Sequence, residues 1–157
     1  MAKPNYFGVG PRIARILLPW LAGTILLSLF FPACFLFPAA CKPWLFGIGL
    51  AWILPGVVLY AITGKMMKMA VKEGRLVTSG PYRISRNPLY AMVILNIIPG
   101  IGLMMNSWLV LTTAVAGYIA FKSCIRDEYE EMSTAFGETY LEYSRKTPEF
   151  FPWWPVK

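Results

Sequence analysis

Two stretches of this chain hold most of the residues whose types and spacing could do chemistry. The first runs Gly74-Arg75-Leu76-Val77-Thr78-Ser79-Gly80-Pro81-Tyr82-Arg83-Ile84-Ser85-Arg86-Asn87-Pro88-Leu89-Tyr90. Gly80-Pro81 and Asn87-Pro88 are turn signals, and the residue before each proline is biased away from helix. Irregular backbone is predicted here, with free N–H and C=O groups able to read an adenine edge or a carboxylate. Arg83 and Arg86 sit inside it, flanked by Tyr82 and Tyr90. The same residues also suit a plain basic loop with interfacial tyrosines. The second stretch runs Arg126-Asp127-Glu128-Tyr129-Glu130-Glu131-Met132, then Phe136-Gly137-Glu138-Thr139-Tyr140-Leu141-Glu142-Tyr143. Gly137 reads as a helix C-cap and Pro148 as a stop. On a helix, Arg126 and Glu130 are i,i+4 partners, as are Asp127 and Glu131, and Glu130, Glu131, Glu138 and Glu142 fit a solvated face. Glu128 lies about a turn and a half past the last apolar residues, where it can face back towards the Tyr82–Tyr90 loop and suit a cationic ligand.

What is missing narrows the chemistry. The 157 residues include no histidine. A Ser-His-Asp triad, a histidine-ligated metal and an imidazole proton shuttle are therefore excluded. Cys34, Cys41 and Cys124 form no C-x-x-C pair, so no zinc or iron–sulfur cage is expected. Cys34 and Cys41 are close enough in sequence to pair, but two free apolar thiols are the expected state.

The elements that must position these residues are apolar. Hydrophobic residues make up 57% of the chain and charged residues 15%, and the mean hydropathy is +0.53. A soluble domain carries about 25% charged residues. Lys42 is the one charge between Ile16 and Gly64, and none lies between Asn87 and Phe121. Since ~20 residues cross a ~30 Å hydrocarbon layer, the second run fits two crossings with a tight turn at Met105-Asn106-Ser107. Four membrane helices are predicted: about Ile13–Phe31, Trp44–Ile62, Leu89–Met105, and one from Ser107 past Phe121. The predicted fold class is an all-α polytopic membrane bundle, read as one domain over 1–157. Residues 1–63 form a supporting helix pair, and 64–157 form the half with the unusual residues. Pro99-Gly100 with Gly102 is expected to bend the third helix or to pack closely through small residues. The first span has the outline of a leader with Ala39-Ala40-Cys41 as its cleavage site. With Met1 and the span both present, it is read as retained.

The net charge of +7 falls in clusters beside the spans: Lys3, Arg12 and Arg15, then Lys65, Lys68, Lys72, Arg75, Arg83 and Arg86. By the positive-inside rule both termini and the 64–88 loop are expected in the cytoplasm. Nucleic acid is not expected as a partner; the lipid bilayer is.

In order along the chain, Leu-Val-Thr-Ser-Gly-Pro-Tyr, Arg-Asn-Pro-Leu-Tyr, Arg-x-Glu, Phe-Gly-x-x-Tyr-x-x-Tyr and a closing Pro-x-Phe-x-Pro resemble the isoprenylcysteine carboxyl methyltransferase family, which is related to the phospholipid methyltransferases. The resemblance covers about residues 74–152, and residues 1–63 match only in being membrane spans. It implies S-adenosylmethionine as methyl donor and a lipophilic methyl acceptor. It also implies that Leu76, Val77 and Tyr82 line the adenosine site, that Asn87, Pro88, Leu89 and Tyr90 form a second cofactor-binding stretch, and that Glu128 is the acidic cofactor contact, with Arg126 as the arginine before it. The chain departs from the family in three places. Asn87-Pro88 stands where many members have His-Pro, Tyr129 stands where many have a second Glu, and Cys124 stands where carboxyl-methylating members have Arg.

Methyl transfer from a sulfonium needs no histidine, metal or nucleophilic side chain. A carboxylate acceptor would need an orienting cation, for which Arg86 or Arg126 is suited. An amine acceptor would need a proton acceptor, for which Glu128 or a phosphate oxygen is suited. The sequence leaves these cases open. From another class, a small membrane scaffold or partner-binding subunit would also satisfy the composition. It predicts that the polar residues of 75–90 point separately into water.

Overall fold

The computed structural model describes residues 8–150, and these are mostly helical, with one isolated bridge, Leu36 to Ser107, and irregular backbone between helices. Helix α1 spans Gly10–Phe30 and is followed by the single turn α2 (Pro32–Phe35). After a 3-10 turn at Ala39–Cys41 comes α3 (Lys42–Glu73), then a 3-10 turn at Gly80–Arg83. The next apolar helix is built of α4 (Pro88–Met92), a π turn (Val93–Ile97) and α5 (Ile98–Met104). Helices α6 (Trp108–Phe136) and α7 (Glu138–Lys146) complete the described chain. The expected closing Pro-x-Phe-x-Pro extends past the described residues, as does Lys3.

Three helices, Gly10–Phe30, Ala39–Glu73 and Trp108–Phe136, are long and apolar enough to cross a membrane. The third expected crossing, Pro88–Met104, is apolar but shorter. At a 1.5 Å rise it measures about 26 Å. The π turn and Pro99 explain its irregularity. Pro99 has no N–H for the Leu95 carbonyl four residues back, and Trp52 Nε1 reaches across from α3 to donate to that carbonyl at 2.8 Å.

The second predicted span ends too early. Composition predicts Trp44–Ile62 with a loop from 64, but α3 runs on without a break to Glu73. Lys, Met, Ala and Glu are strong helix formers, so a change from apolar to charged composition does not end a helix. Gly74 ends it, at φ 63, with its own N–H and that of Arg75 turned back to the Val71 and Ala70 carbonyls. Lys65, Lys68 and Lys72 therefore stand on a helix, and the irregular backbone begins only at Gly74.

Packing follows small residues. The buried positions of α3 are Gly49, Gly56, Thr63 and Ala70, one every seven residues. That repeat keeps a single stripe against a neighbouring helix, and its lack of bulk lets the backbones close in. A Cβ on Gly49 would lie 2.6 Å from the Gly100 carbonyl oxygen, and one on Gly100 would lie 2.2 Å from Ile53 Cγ1. Pro99-Gly100 with Gly102 thus both accompanies a distortion and packs closely. On the other side α1 buries Ile13, Leu17, Thr24 and Ser28 along α6. There Thr24 and Thr113 share a hydrogen bond at 3.2 Å, and Ser28 and Ser107 share one at 2.7 Å. Helix α6 also packs along α5, and α5 along α3, so α1 and α3 are the outer members of the set.

One end of the set is tied shut. Phe37 and Asn106 exchange two hydrogen bonds, at 2.9 and 2.7 Å, and Trp108 Nε1 donates to the Cys34 carbonyl at 3.1 Å. Cys34 and Cys41 are free, exposed thiols beside this tie. At the other end α1 and α3 stand apart around an open cavity, above a core of Val9, Ile13, Ala91, Ile94, Phe121, Ile125 and Phe150.

Candidate functional site

The cavity has a volume of about 960 Å³, at the upper end of the usual range for small-molecule sites. Its walls are the start of α1, the last turns of α3, the 74–87 segment, α4, the π turn, the last turns of α6, and α7. Leu76, Val77, Tyr82, Arg86, Asn87, Pro88, Leu89, Tyr90 and Glu128 all line it.

Glu128 is the centre of the polar arrangement. Tyr90 Oη donates to Glu128 Oε2 at 3.0 Å, and the Val9 backbone N–H donates to the same oxygen at 3.1 Å. Glu128 faces inward because it follows Phe121 and Ile125, both buried, by seven and three positions on one helix. Tyr90 arrives from the first turn of α4, its ring 5.5 Å from that of Phe121.

Arg86 supplies the opposite charge. Its guanidinium lies 4.9 Å from the centre of the Tyr129 ring. Its Nε is buried without a hydrogen-bond partner among the described residues. A buried donor of this kind is costly unless something completes it.

Asn87 lines the cavity, yet its amide is engaged by protein. Nδ2 donates to Tyr129 Oη at 2.5 Å and to the Glu149 carbonyl at 2.9 Å. The segment after α7 straps this loop in place. Arg86 N–H donates to the Pro148 carbonyl at 2.9 Å, Ser85 Oγ donates to the Glu149 carbonyl at 3.2 Å, and Lys122 pairs with Glu149 at 2.5 Å. Phe150 anchors the strap, its ring 4.9 Å from that of Phe121 and 5.3 Å from that of Tyr118.

Arg126 does not join the group. Its side chain is 86% exposed and sits 3.6 Å from Glu130, the i,i+4 partner that spacing suggested. Two positions before an inward-facing residue on a helix, a side chain points away. The second i,i+4 expectation fails for a different reason: Asp127 and Glu131 are both acids and repel each other, and Asp127 pairs with Arg12 of α1.

Sequence reasoning passed over Tyr129, Tyr140 and Tyr143 as site residues, although all three line the cavity. Tyr143 Oη donates to the Tyr82 carbonyl at 2.6 Å, which fixes the 3-10 turn. Burial pushes the Tyr82 and Tyr143 phenols above their ordinary value, so both stay neutral. The i,i+3 spacing of Tyr140 and Tyr143 on an otherwise charged helix was the available signal. Lys65 and Lys68 also face the cavity, from the stretch of α3 that was read as loop.

The arrangement therefore offers an oriented carboxylate, a guanidinium with an unused donor and an aromatic wall around one hollow. It can hold a ligand that carries positive charge at one place and negative charge at another. Among the described residues, no group of three or more His, Cys, Asp or Glu is placed to hold a metal.

Two curated relatives are similar over part of the chain. The cobalt-zinc-cadmium resistance protein CzcN of Cupriavidus metallidurans is 43% identical over 82 residues, which cover 52% of this chain and 37% of that protein. The nickel-cobalt-cadmium resistance protein NccN of Alcaligenes xylosoxydans xylosoxydans is 39% identical over 82 residues, covering 52% of this chain and 38% of that protein. The chain thus spans well under half the length of these relatives. No solved structure matches it. Residues 43–139, more than half of the chain, match the model of the phospholipid methyltransferase family, PEMT, and the chain belongs to that family.

Proposed function

We propose that this chain is an integral membrane methyltransferase that transfers the methyl group of S-adenosylmethionine to a lipophilic acceptor, either an isoprenylcysteine-like carboxylate or a phospholipid amine. The observation that carries the reading is the meeting of Tyr90 and Glu128, 3.0 Å apart, in a cavity of nucleoside-accommodating size. The two residues come from separate helices. A scaffold would leave the polar groups of the 74–90 segment pointing separately into water.

The residues fit the donor. Glu128 suits a sulfonium or ammonium, and the unused Nε of Arg86 suits a carboxylate. Leu76, Val77 and Tyr82 offer an apolar and aromatic wall for an adenine. When bound, S-adenosylmethionine supplies a methyl group already activated by its sulfonium, so that a neutral thioether leaves. The protein's contribution is then placement and dryness. Alignment of two reactants can supply about 7–11 kcal/mol. Tyr90 and the Val9 N–H hold Glu128 in one orientation, Asn87 and the 148–150 strap hold the loop against α6, and the apolar walls exclude water from an anionic acceptor. For a carboxylate acceptor, Arg86 orients it. For an amine acceptor, Glu128 Oε1, the oxygen that Tyr90 and Val9 leave free, takes the proton.

The cavity lies between the outer helices α1 and α3, with Leu17 and Tyr60 at its deeper levels. A lipophilic acceptor enters there from the bilayer while the donor enters from water. The lysines and arginines around the open end favour a cytoplasmic position for that end by the positive-inside rule.

Calorimetry with S-adenosylhomocysteine on the protein in lipid nanodiscs tests the donor. Saturable binding is expected, and its absence overturns the reading. Incubation with methyl-labelled S-adenosylmethionine and a membrane lipid extract tests the acceptor: a base-labile product is an ester, and a base-stable product is an amine.

A further inference from the structure

The start of α1 lies outside residues 43–139, the part that matches the family, yet it touches the most engaged acid of the cavity. Helix α1 begins without a side-chain cap of its own, at Gly8-Val9-Gly10-Pro11. The acceptor for its first N–H comes from another helix, as Glu128 Oε2 accepts from Val9 N at 3.1 Å. A carboxylate in that place also faces the positive end of the α1 dipole. Next to it, Arg12 of α1 pairs with Asp127 of α6. The two helices are therefore locked at consecutive acids, one facing the cavity and one facing out.

Gly8 makes this approach possible. Its φ is +48, in the region that side chains rarely adopt. A Cβ there would lie 2.4 Å from Glu128 Oε2, 2.9 Å from Cδ and 3.3 Å from Oε1. The whole carboxylate group occupies the space a side chain would need. Any residue but glycine strains the backbone and pushes the carboxylate off its hydrogen bonds to Tyr90 and Val9.

From this geometry we infer that Gly8 and the Val9 backbone N–H are positioning elements of the donor site. They act through Glu128, so that the acid's orientation depends on α1. The inference rests on the methyltransferase reading. It adds to that reading a dependence on a segment the family match does not include.

The test is a double-mutant cycle with Gly8→Ala, Glu128→Ala and the two combined, in nanodiscs. S-adenosylhomocysteine binding and melting temperature are both measured. Gly23→Ala, on the same helix with nothing within 4 Å of a built Cβ, is the control for general damage to α1 and is expected to bind like the parent. Gly8→Ala is expected to weaken binding about tenfold or more. In the Glu128→Ala background, where the obstructing carboxylate is gone, the same change is expected to alter binding less than about twofold. The melting-temperature cycle is read in the same way: Gly8→Ala lowers it more when Glu128 is present than when it is Ala. This second cycle keeps the test decisive where Glu128→Ala alone removes measurable binding. Unchanged binding in Gly8→Ala, or losses that simply multiply in the double variant, overturns the inference. A parent protein that binds no S-adenosylhomocysteine instead sinks the methyltransferase reading, which separates the two failures.

Discussion

The same four long or composite helices meet at both ends of this molecule, and the two ends are finished in opposite ways. At the end formed by residues 28–41 and 104–108, polar groups face one another directly. Ser28 meets Ser107, Phe37 exchanges two bonds with Asn106, whose own Oδ1 is buried without a partner among the described residues, and Trp108 caps the Cys34 carbonyl. At the end formed by residues 8–17, 60–90 and 126–143, α1 and α3 diverge. There Glu128 is held by two donors on one oxygen, and the Arg86 Nε has no hydrogen-bond partner among the described residues. Buried polar groups that satisfy one another stabilise a fold. Buried polar groups gathered but incompletely satisfied around a hollow prepare a binding site. Under the proposed function, the contrast separates residues that hold the bundle together from residues that meet the ligand.

Removing Glu128 should break this contrast most sharply. Glu128→Ala is expected to weaken S-adenosylhomocysteine binding by about 100-fold, at the upper end for hydrogen bonds to a charged group. Retention of the helical circular dichroism signal would show that the fold survives. Tyr90→Phe keeps the ring against Phe121 and removes one donor from the carboxylate. About tenfold weaker binding is expected by calorimetry. Ser28→Ala probes the closed end. A stability loss of about 0.6 kcal/mol, and no more than about 1.7, is expected from denaturation in lipid, since buried hydrogen bonds between membrane helices are worth that much. Donor-analogue binding should be unchanged.

A smaller effect should come with pH. Tyr82 and Tyr143 have phenol pKa values raised by burial above the ordinary 10. The neutral form is the one the fold favours, so its stabilising contribution is fully present below pH 10. It is lost as pH rises through the raised folded-state values. The melting temperature should therefore be flat across neutral pH and fall above 10. The smallest effect should come from Arg126→Ala. Its side chain is 86% exposed and, among the described residues, pairs only with Glu130, so stability should move by about 0.5 kcal/mol at most and binding not at all. A large loss of binding there would show that the ligand reaches beyond the cavity.

Much of this was legible in the chain itself, for reasons that differ from residue to residue. The charge-free run from Asn87 to Phe121 requires lipid or a core around it. The hairpin, the helix end at Gly137 and the irregular segment ending at Asn87-Pro88 follow from local backbone preferences. The ordered motifs pointed to the cavity-lining residues from Leu76 to Tyr90 and to Glu128. The extent of α3 past Ile62 is not legible in composition, which changes there while helix propensity does not. Arg126 was grouped with Glu128 by proximity in sequence, although two helix positions separate their directions.

Composition, spacing and turn chemistry thus determined the helices, their need for a bilayer and the set of residues able to bind a charged ligand, because each is a property of neighbours along the chain. Only the tertiary structure decided that Glu128 meets Tyr90 and the Val9 N–H, that the Asn87 amide is spent on Tyr129 and Glu149, and that Gly8 must lack a side chain. The hydrogen bonds among them join residues 38 to 119 positions apart, and no local preference encodes which helix closes on which.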